Sequence, residues 1–175
     1  MKLKVFFLTM LVVGFLSAQD NPVLISMKDL LNPKVWTGTE GAKVEVKEKA
    51  VCISIPAGKK EAVASIDVRK IKKDPWWEYN ALKMEIENNS KSKVTFQFRL
   101  VRRALDDCLI QAENPRYDID VTLKPGKNSI EIDVTDASNN SSREIMVENI
   151  KFIFSNTEKT EQVFIISKFS LEQVD

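Results

Sequence analysis

Two kinds of side chain in this 175-residue sequence can do chemistry together. Flat rings occur at Trp36, Trp76, Trp77, Tyr79 and Tyr117, and polar groups at Arg99, Arg102, Arg103, Asp118 and Asp120. An indole offers an apolar face to the C–H side of a pyranose, while guanidinium, carboxylate and phenol groups match its hydroxyls. Trp36, Trp76, Arg99, Arg102 and Tyr117 are therefore the candidate ligand-binding set, with the indoles stacking and the others hydrogen bonding. The same residue types also have plainer uses. Trp77 and Tyr79 are expected as core caps, Trp36 and Trp76 as partly exposed rings, and Arg99 with Asp118 or Asp120 as a cross-strand charge pair.

Other chemistries are poorly supplied. The chain has no histidine, which removes Ser-His-Asp and Cys-His arrangements and, with no cysteine pair at zinc spacing, a zinc site. No phosphate loop or G-x-S-x-G occurs. Asp106, Asp107, Glu113, Asp118 and Asp120 could provide a carboxylate pair for glycoside hydrolysis. Those acids fall in loops or at wet strand positions, where nothing raises a general acid's pKa, so a glycosidase or lyase is disfavoured.

The elements that position these residues follow from hydrophobic spacing. Leu82, Met84 and Ile86 alternate with Lys83, Glu85 and Glu87, a polar turn spans Asn88 to Ser92, and Val94, Phe96, Phe98 and Leu100 alternate with Thr95, Gln97 and Arg99. A period of two means one buried and one wet face, so these are two antiparallel strands. Similar alternation at 44–46, 51–55, 62–68, 117–123, 130–134 and 150–154 predicts further strands. Val23 to Ile25 reads as a first short strand and Lys28 to Asn32 as a single helical turn stopped by Pro33. The segment Trp36 to Gly41 reads as a loop, Arg69 to Pro75 as a basic loop, and Val163 to Ile166 as a strand buried on both sides. About nine or ten short strands without a helical period predict an all-β fold, a two-sheet antiparallel sandwich. Leu82, Met84, Ile86, Val94, Phe96, Phe98, Val121, Ile130, Ile132, Phe152 and Phe154 are its expected core.

The amino terminus stands apart. Lys2 and Lys4 precede an apolar run from Val5 to Leu16, and Ser17-Ala18 supplies small residues. This describes a signal peptide over 1–18 and one domain over 19–175, secreted or periplasmic after cleavage. The run is too short for a comfortable bilayer crossing, so no transmembrane segment is expected. Loss of Lys2 and Lys4 leaves 24 basic against 25 acidic residues, and a near-neutral chain has no global field for nucleic acid. Cys52 falls in the outward phase of its strand and Cys108 in the long loop; the two could pair outside the cytoplasm, and their spacing leaves that open.

The stretches W-x-x-x-x-A-L-K-M-E-I-E-N, V-T-L-K-P-G-K-N-S-I-E-I-D-V and V-E-N-I-K-F-I-F resemble jelly-roll carbohydrate-binding domains of the galactose-binding-like fold. The resemblance covers Trp36 to Leu171. It implies a non-catalytic domain that holds a poly- or oligosaccharide on a sheet face or on loops at the sandwich edge. It also implies a structural calcium ion, for which Asp29 and Glu172 are the candidate ligands. If the basic loop converges with Arg102, Arg103 and Arg116, the glycan is acidic; a structural or protein-interaction sandwich with a protein partner is the alternative.

Overall fold

The computed structural model describes residues 22–71, 79–104, 116–135 and 145–174, and, of residues 102–104 and 145–146, the backbone. Eleven strands fill these stretches. In chain order they are β1 (Val23–Ser26), β2 (Trp36–Thr39), β3 (Lys43–Val46), β4 (Val51–Ile55), β5 (Lys59–Asp67), β6 (Ala81–Asn88), β7 (Val94–Ala104), β8 (Arg116–Leu123), β9 (Gly126–Asp133), β10 (Ile145–Asn156) and β11 (Gln162–Glu172). One helical turn, α1 (Met27–Leu30), and two 3-10 turns, Pro33–Val35 and Val68–Lys70, complete the described elements. No helix among the described residues is long and apolar enough to cross a membrane.

Two antiparallel sheets face each other. The first runs β3-β4-β11-β6-β9, and β1 also pairs with β11. The second runs β2-β5-β10-β7-β8. Strand β11 serves both β4 and β1 because its first half, Gln162 to Ile166, pairs with β4, while Ser170 to Glu172 pair with β1. The register shifts between Ile166 and Lys168, where a bulge bends the strand. Consecutive strands repeatedly change sheets, the arrangement of a β-sandwich rather than a closed barrel.

The alternation seen in the sequence is the reason for the two layers. Leu82, Met84, Ile86, Val94, Phe96, Phe98, Val121, Ile132, Phe152 and Phe154 are buried, and Ile130 is half-buried against the same core. Rings cross the interior: Phe154 of the second sheet stacks on Phe164 of the first with centroids 4.5 Å apart. Phe152 packs edge-on to Phe98 at 5.8 Å and stacks on Trp36 at 6.1 Å. Such ring pairs add about 0.5–1.5 kcal/mol beyond their area.

The turns are held by buried amides. Asn156, fully buried between β10 and β11, donates from Nδ2 to the carbonyls of Ile55, Pro56 and Thr160 and accepts from the Glu158 backbone N–H. Asn88 does the same for the β6–β7 turn, donating to Ser92 O and accepting from Ser90 N–H. Both satisfy loop carbonyls that would otherwise be stranded at the sandwich end.

Four expectations are corrected. The strands on either side of the Asn88–Ser92 turn do not pair with each other: the turn carries the chain from β6 in the first sheet to β7 in the second, because each strand buries its apolar face from the opposite side of the core. Trp36 to Thr39 is an edge strand, not a loop, because Gly38 lets it lie against the next segment. A Cβ there would meet Ala42 O at 2.2 Å. The reversal is confined to Glu40 and Gly41, both at positive φ. Val163 and Ile165 are half-buried rather than interior, since only Phe164 and Ile166 point into the core. Cys52, at a wet position of β4, is nonetheless buried and carries a free thiol. Cys108 lies outside the described residues.

Candidate functional site

The outer face of the second sheet assembles Arg99, Asp118 and Asp120 from the polar residues singled out in the sequence. Pairing register fixes its rows. Thr37, Ser65, Lys151, Arg99 and Asp118 lie side by side across β2-β5-β10-β7-β8. The adjacent row is Thr39, Val63, Ile153, Gln97 and Asp120. Beyond it Thr95 and Thr122 share a hydroxyl hydrogen bond of 2.8 Å. Val63 and Ile153, half-buried at wet positions, make a small apolar floor between these polar flanks.

Arg99 is the best-anchored group on this face. Its Nε donates to Asp118 Oδ1 at 2.7 Å, and Nη2 donates to Asp118 Oδ2 and to Gln97 Oε1, both at 2.8 Å. The Asp118 hydrogen bonds raise the guanidinium pKa above its already high ordinary value. This is the anticipated cross-strand pair, and it leaves Nη1 without a hydrogen bond among the described residues. Asp120 is exposed, with no hydrogen bond or ion pair among the described residues. Arg102 follows on β7 opposite Val147; its side chain lies outside the described residues. Trp76 and Trp77 lie outside them as well.

The remaining candidates are placed elsewhere. Trp36 is not an exposed stacking ring: it is 8% exposed, packs on Phe152, and donates its Nε1–H to Leu30 O at 2.8 Å. Its neighbour position on β2 is wet, so alternation turns the indole inward, and no open ring face remains for a sugar. Tyr117 is half-buried against the core, and its hydroxyl donates to Asp133 O of β9 at 2.7 Å. It therefore ties the edges of the two sheets together. Tyr79 is half-buried against the core, as expected of a cap.

Asp29 and Glu172 sit at the end of the first sheet where α1 packs on β11. Asp29 Oδ2 accepts from the Ser26 backbone N–H and hydroxyl, both at 2.9 Å, which closes a capping box. Glu172 accepts from Lys83 Nζ at 2.9 Å and from the Ser170 hydroxyl. An ammonium held on one carboxylate and cap donors on the other do not fit a calcium donor set, and no group of three acidic or thiol side chains converges among the described residues. Glu172 also raises the Lys83 pKa through that hydrogen bond.

The basic loop is partly neutralised. Arg69 Nε and Nη2 donate to the two oxygens of Asp67 at 2.9 and 3.1 Å, and Lys70 Nζ donates to Lys34 O. The Arg69 hydrogen bond holds the Asp67 pKa below its ordinary value. Lys151, Gln97, Val63 and Ile153 escaped the sequence reading. Apolar side chains at the wet positions of two strands were the available signal, in Ala62-Val63-Ala64 and Phe152-Ile153-Phe154.

No protein-family model matches the chain, and no curated protein matches it. Solved structures do. The family 11 carbohydrate-binding module of Clostridium thermocellum, in complex with a β-1,3-1,4-mixed-linked tetrasaccharide, aligns at a TM-score of 0.51 with 12% identity over 81% of this chain and 91% of its own. The CBM22-1 xylan-binding domain of Paenibacillus barcinonensis Xyn10C aligns at 0.55 with 12% identity, over 89% and 96%. The fold is a jelly-roll β-sandwich, shared with these modules. A third similar structure, PfGH50B, aligns at 0.58 with 13% identity over 80% of this chain, which spans 22% of that protein's length. At these identities the likeness speaks for the jelly roll, and residue roles rest on the side chains described above.

Proposed function

We propose that this chain is a secreted, non-catalytic carbohydrate-binding domain. It takes a poly- or oligosaccharide on the outer face of the second sheet. The observation that carries the reading is the outer surface of β5, β10, β7 and β8. There, a donor-rich Lys151 and Arg99, an amide at Gln97 and an acceptor at Asp120 surround the apolar floor of Val63 and Ile153. A sugar ring needs that combination, a C–H-compatible floor ringed by directional polar groups. The outer centre of the first sheet is different, because Lys168 is paired with Glu85 and Lys83 with Glu172. The likeness of the fold to a xylan-binding domain and to a carbohydrate-binding module in complex with a β-1,3-1,4-mixed-linked tetrasaccharide supports the class of ligand.

With Trp36 and Tyr117 turned inward, hydrogen bonding in this reading falls to Arg99, Gln97 and Asp120; Trp76, the stacking candidate from the sequence, lies outside the described residues. The two carboxylates on β8, Asp118 and Asp120, are separated in role: one is neutralised by Arg99 and the other is exposed, so neither is a buried acid suited to hydrolysis, while Asp106, Asp107 and Glu113 lie outside the described residues. The residues 1–18 direct export.

Titration of the chain from residue 19 with soluble oligosaccharides, followed by amide chemical shifts, tests the reading. Shifts confined to β5, β10, β7 and β8 support it; shifts confined to the first sheet or absent for every sugar refute it. A parallel titration with chelator reads any calcium requirement.

A further inference from the structure

Lys151 breaks a local rule of sheet construction. It is half-buried on the central strand of the second sheet, and its flanking residues on the face are Ser65, Arg99, Asn149 and Ile153. None is acidic. The diagonal neighbour Asp67 is occupied by both forks of Arg69. The cross-strand partner is a second cation, and like charges directly opposite each other on an antiparallel pair are destabilising. Asp118 relieves Arg99 from the far side, on β8, and the Glu61 carboxylate of β5 adds a lesser charge attraction. Nη1 of Arg99 and the ammonium of Lys151, on paired positions of β7 and β10, have no acceptor among the described residues.

We propose that the row Ser65–Lys151–Arg99 holds an anionic group of the polysaccharide, a carboxylate or a sulfate ester, between the Lys151 ammonium and the Arg99 guanidinium. This rests on the carbohydrate-binding reading and narrows it to acidic glycans. An anion at that position turns the repulsion into two charge-assisted hydrogen bonds, and the Asp118 fork holds the Arg99 plane in place. The Val63–Ile153 floor in the next row then receives the ring that carries the anionic group.

Affinity electrophoresis of the chain from residue 19 through gels holding polygalacturonate, a sulfated galactan, xylan or mixed-linked β-glucan tests this directly. Retardation by polygalacturonate identifies a carboxylate, and by the sulfated galactan a sulfate. Lys151→Gln should weaken the productive interaction about tenfold, the size of one charge-assisted hydrogen bond. Added salt should weaken it further. Lys47→Gln, on an exposed lysine away from this face, should leave it unchanged. Equal losses in Lys47→Gln and Lys151→Gln would mean diffuse polyelectrolyte attraction and overturn the proposal. Retardation by the neutral polymers alone, unaffected by Lys151→Gln, overturns the anion site while leaving carbohydrate binding intact. Retardation by none of the four polymers overturns both.

Discussion

The Arg99 guanidinium forks onto the Asp118 carboxylate across β7 and β8, with Nε to Oδ1 at 2.7 Å and Nη2 to Oδ2 at 2.8 Å. The geometry is bidentate, but both side chains keep contact with water, at 20% and 33% exposure. Its main effect is to fix the plane of Arg99 on the sheet. Asp118→Asn should therefore cost no more than about 1 kcal/mol of stability. Urea denaturation checks this, and a loss above about 2 kcal/mol would assign the fork a structural role.

Trp36 is a core residue with one polar obligation. Trp36→Phe keeps a ring against Phe152 but strands the Leu30 carbonyl, which should cost about 1–3 kcal/mol. Glycan affinity should not change in a folded Trp36→Phe protein. A variant with wild-type stability and no glycan affinity would return Trp36 to the binding site.

Asn156 satisfies three carbonyls and one N–H with a single buried amide. Asn156→Ala leaves that set without partners and should cost about 3 kcal/mol. A denaturation midpoint within error of the wild type would contradict this.

Acid should act through Asp67. Its folded-state pKa is depressed, first by the Arg69 hydrogen bond, so its contribution is present above the ordinary value of 3.8 and is lost as pH falls below it. The wild type should lose melting temperature more steeply than Asp67→Asn over that acid limb. The two should run parallel from pH 5 upward. Parallel curves below pH 4 as well would remove Asp67 from the account.

Much of this was legible in the chain because strand alternation is a direct consequence of the pleat. The strands Leu82 to Asn88 and Val94 to Leu100, and those around Val121 and Ile132, follow from period two alone, but their partners do not: β6 pairs with β9 and β11 in the first sheet, and β7 with β8 and β10 in the second. Charge pairing of Arg99 with Asp118 was readable for the same reason. Trp36 was misread because two nearby glycines suggest a loop, whereas Gly38 serves close approach of β2 to Ala42. Lys151 was invisible because a lysine at a wet position is ordinary; only the lateral order of strands sets it beside Arg99 and away from an unoccupied acid. Strand order depends on long-range pairing that local periodicity does not encode.

The central claim, that sugar is held on the outer face of the second sheet, is tested most directly by a glycan array probed with three proteins. They are the chain from residue 19, Ser65→Arg, which fills the middle of that face, and Ser129→Arg, which adds the same bulk to exposed β9 of the first sheet. The unmodified chain and Ser129→Arg should label the same glycans, and Ser65→Arg should lose them while keeping its fold by circular dichroism. Retained labelling by Ser65→Arg with loss in Ser129→Arg, or no labelling by any of the three, would contradict that claim.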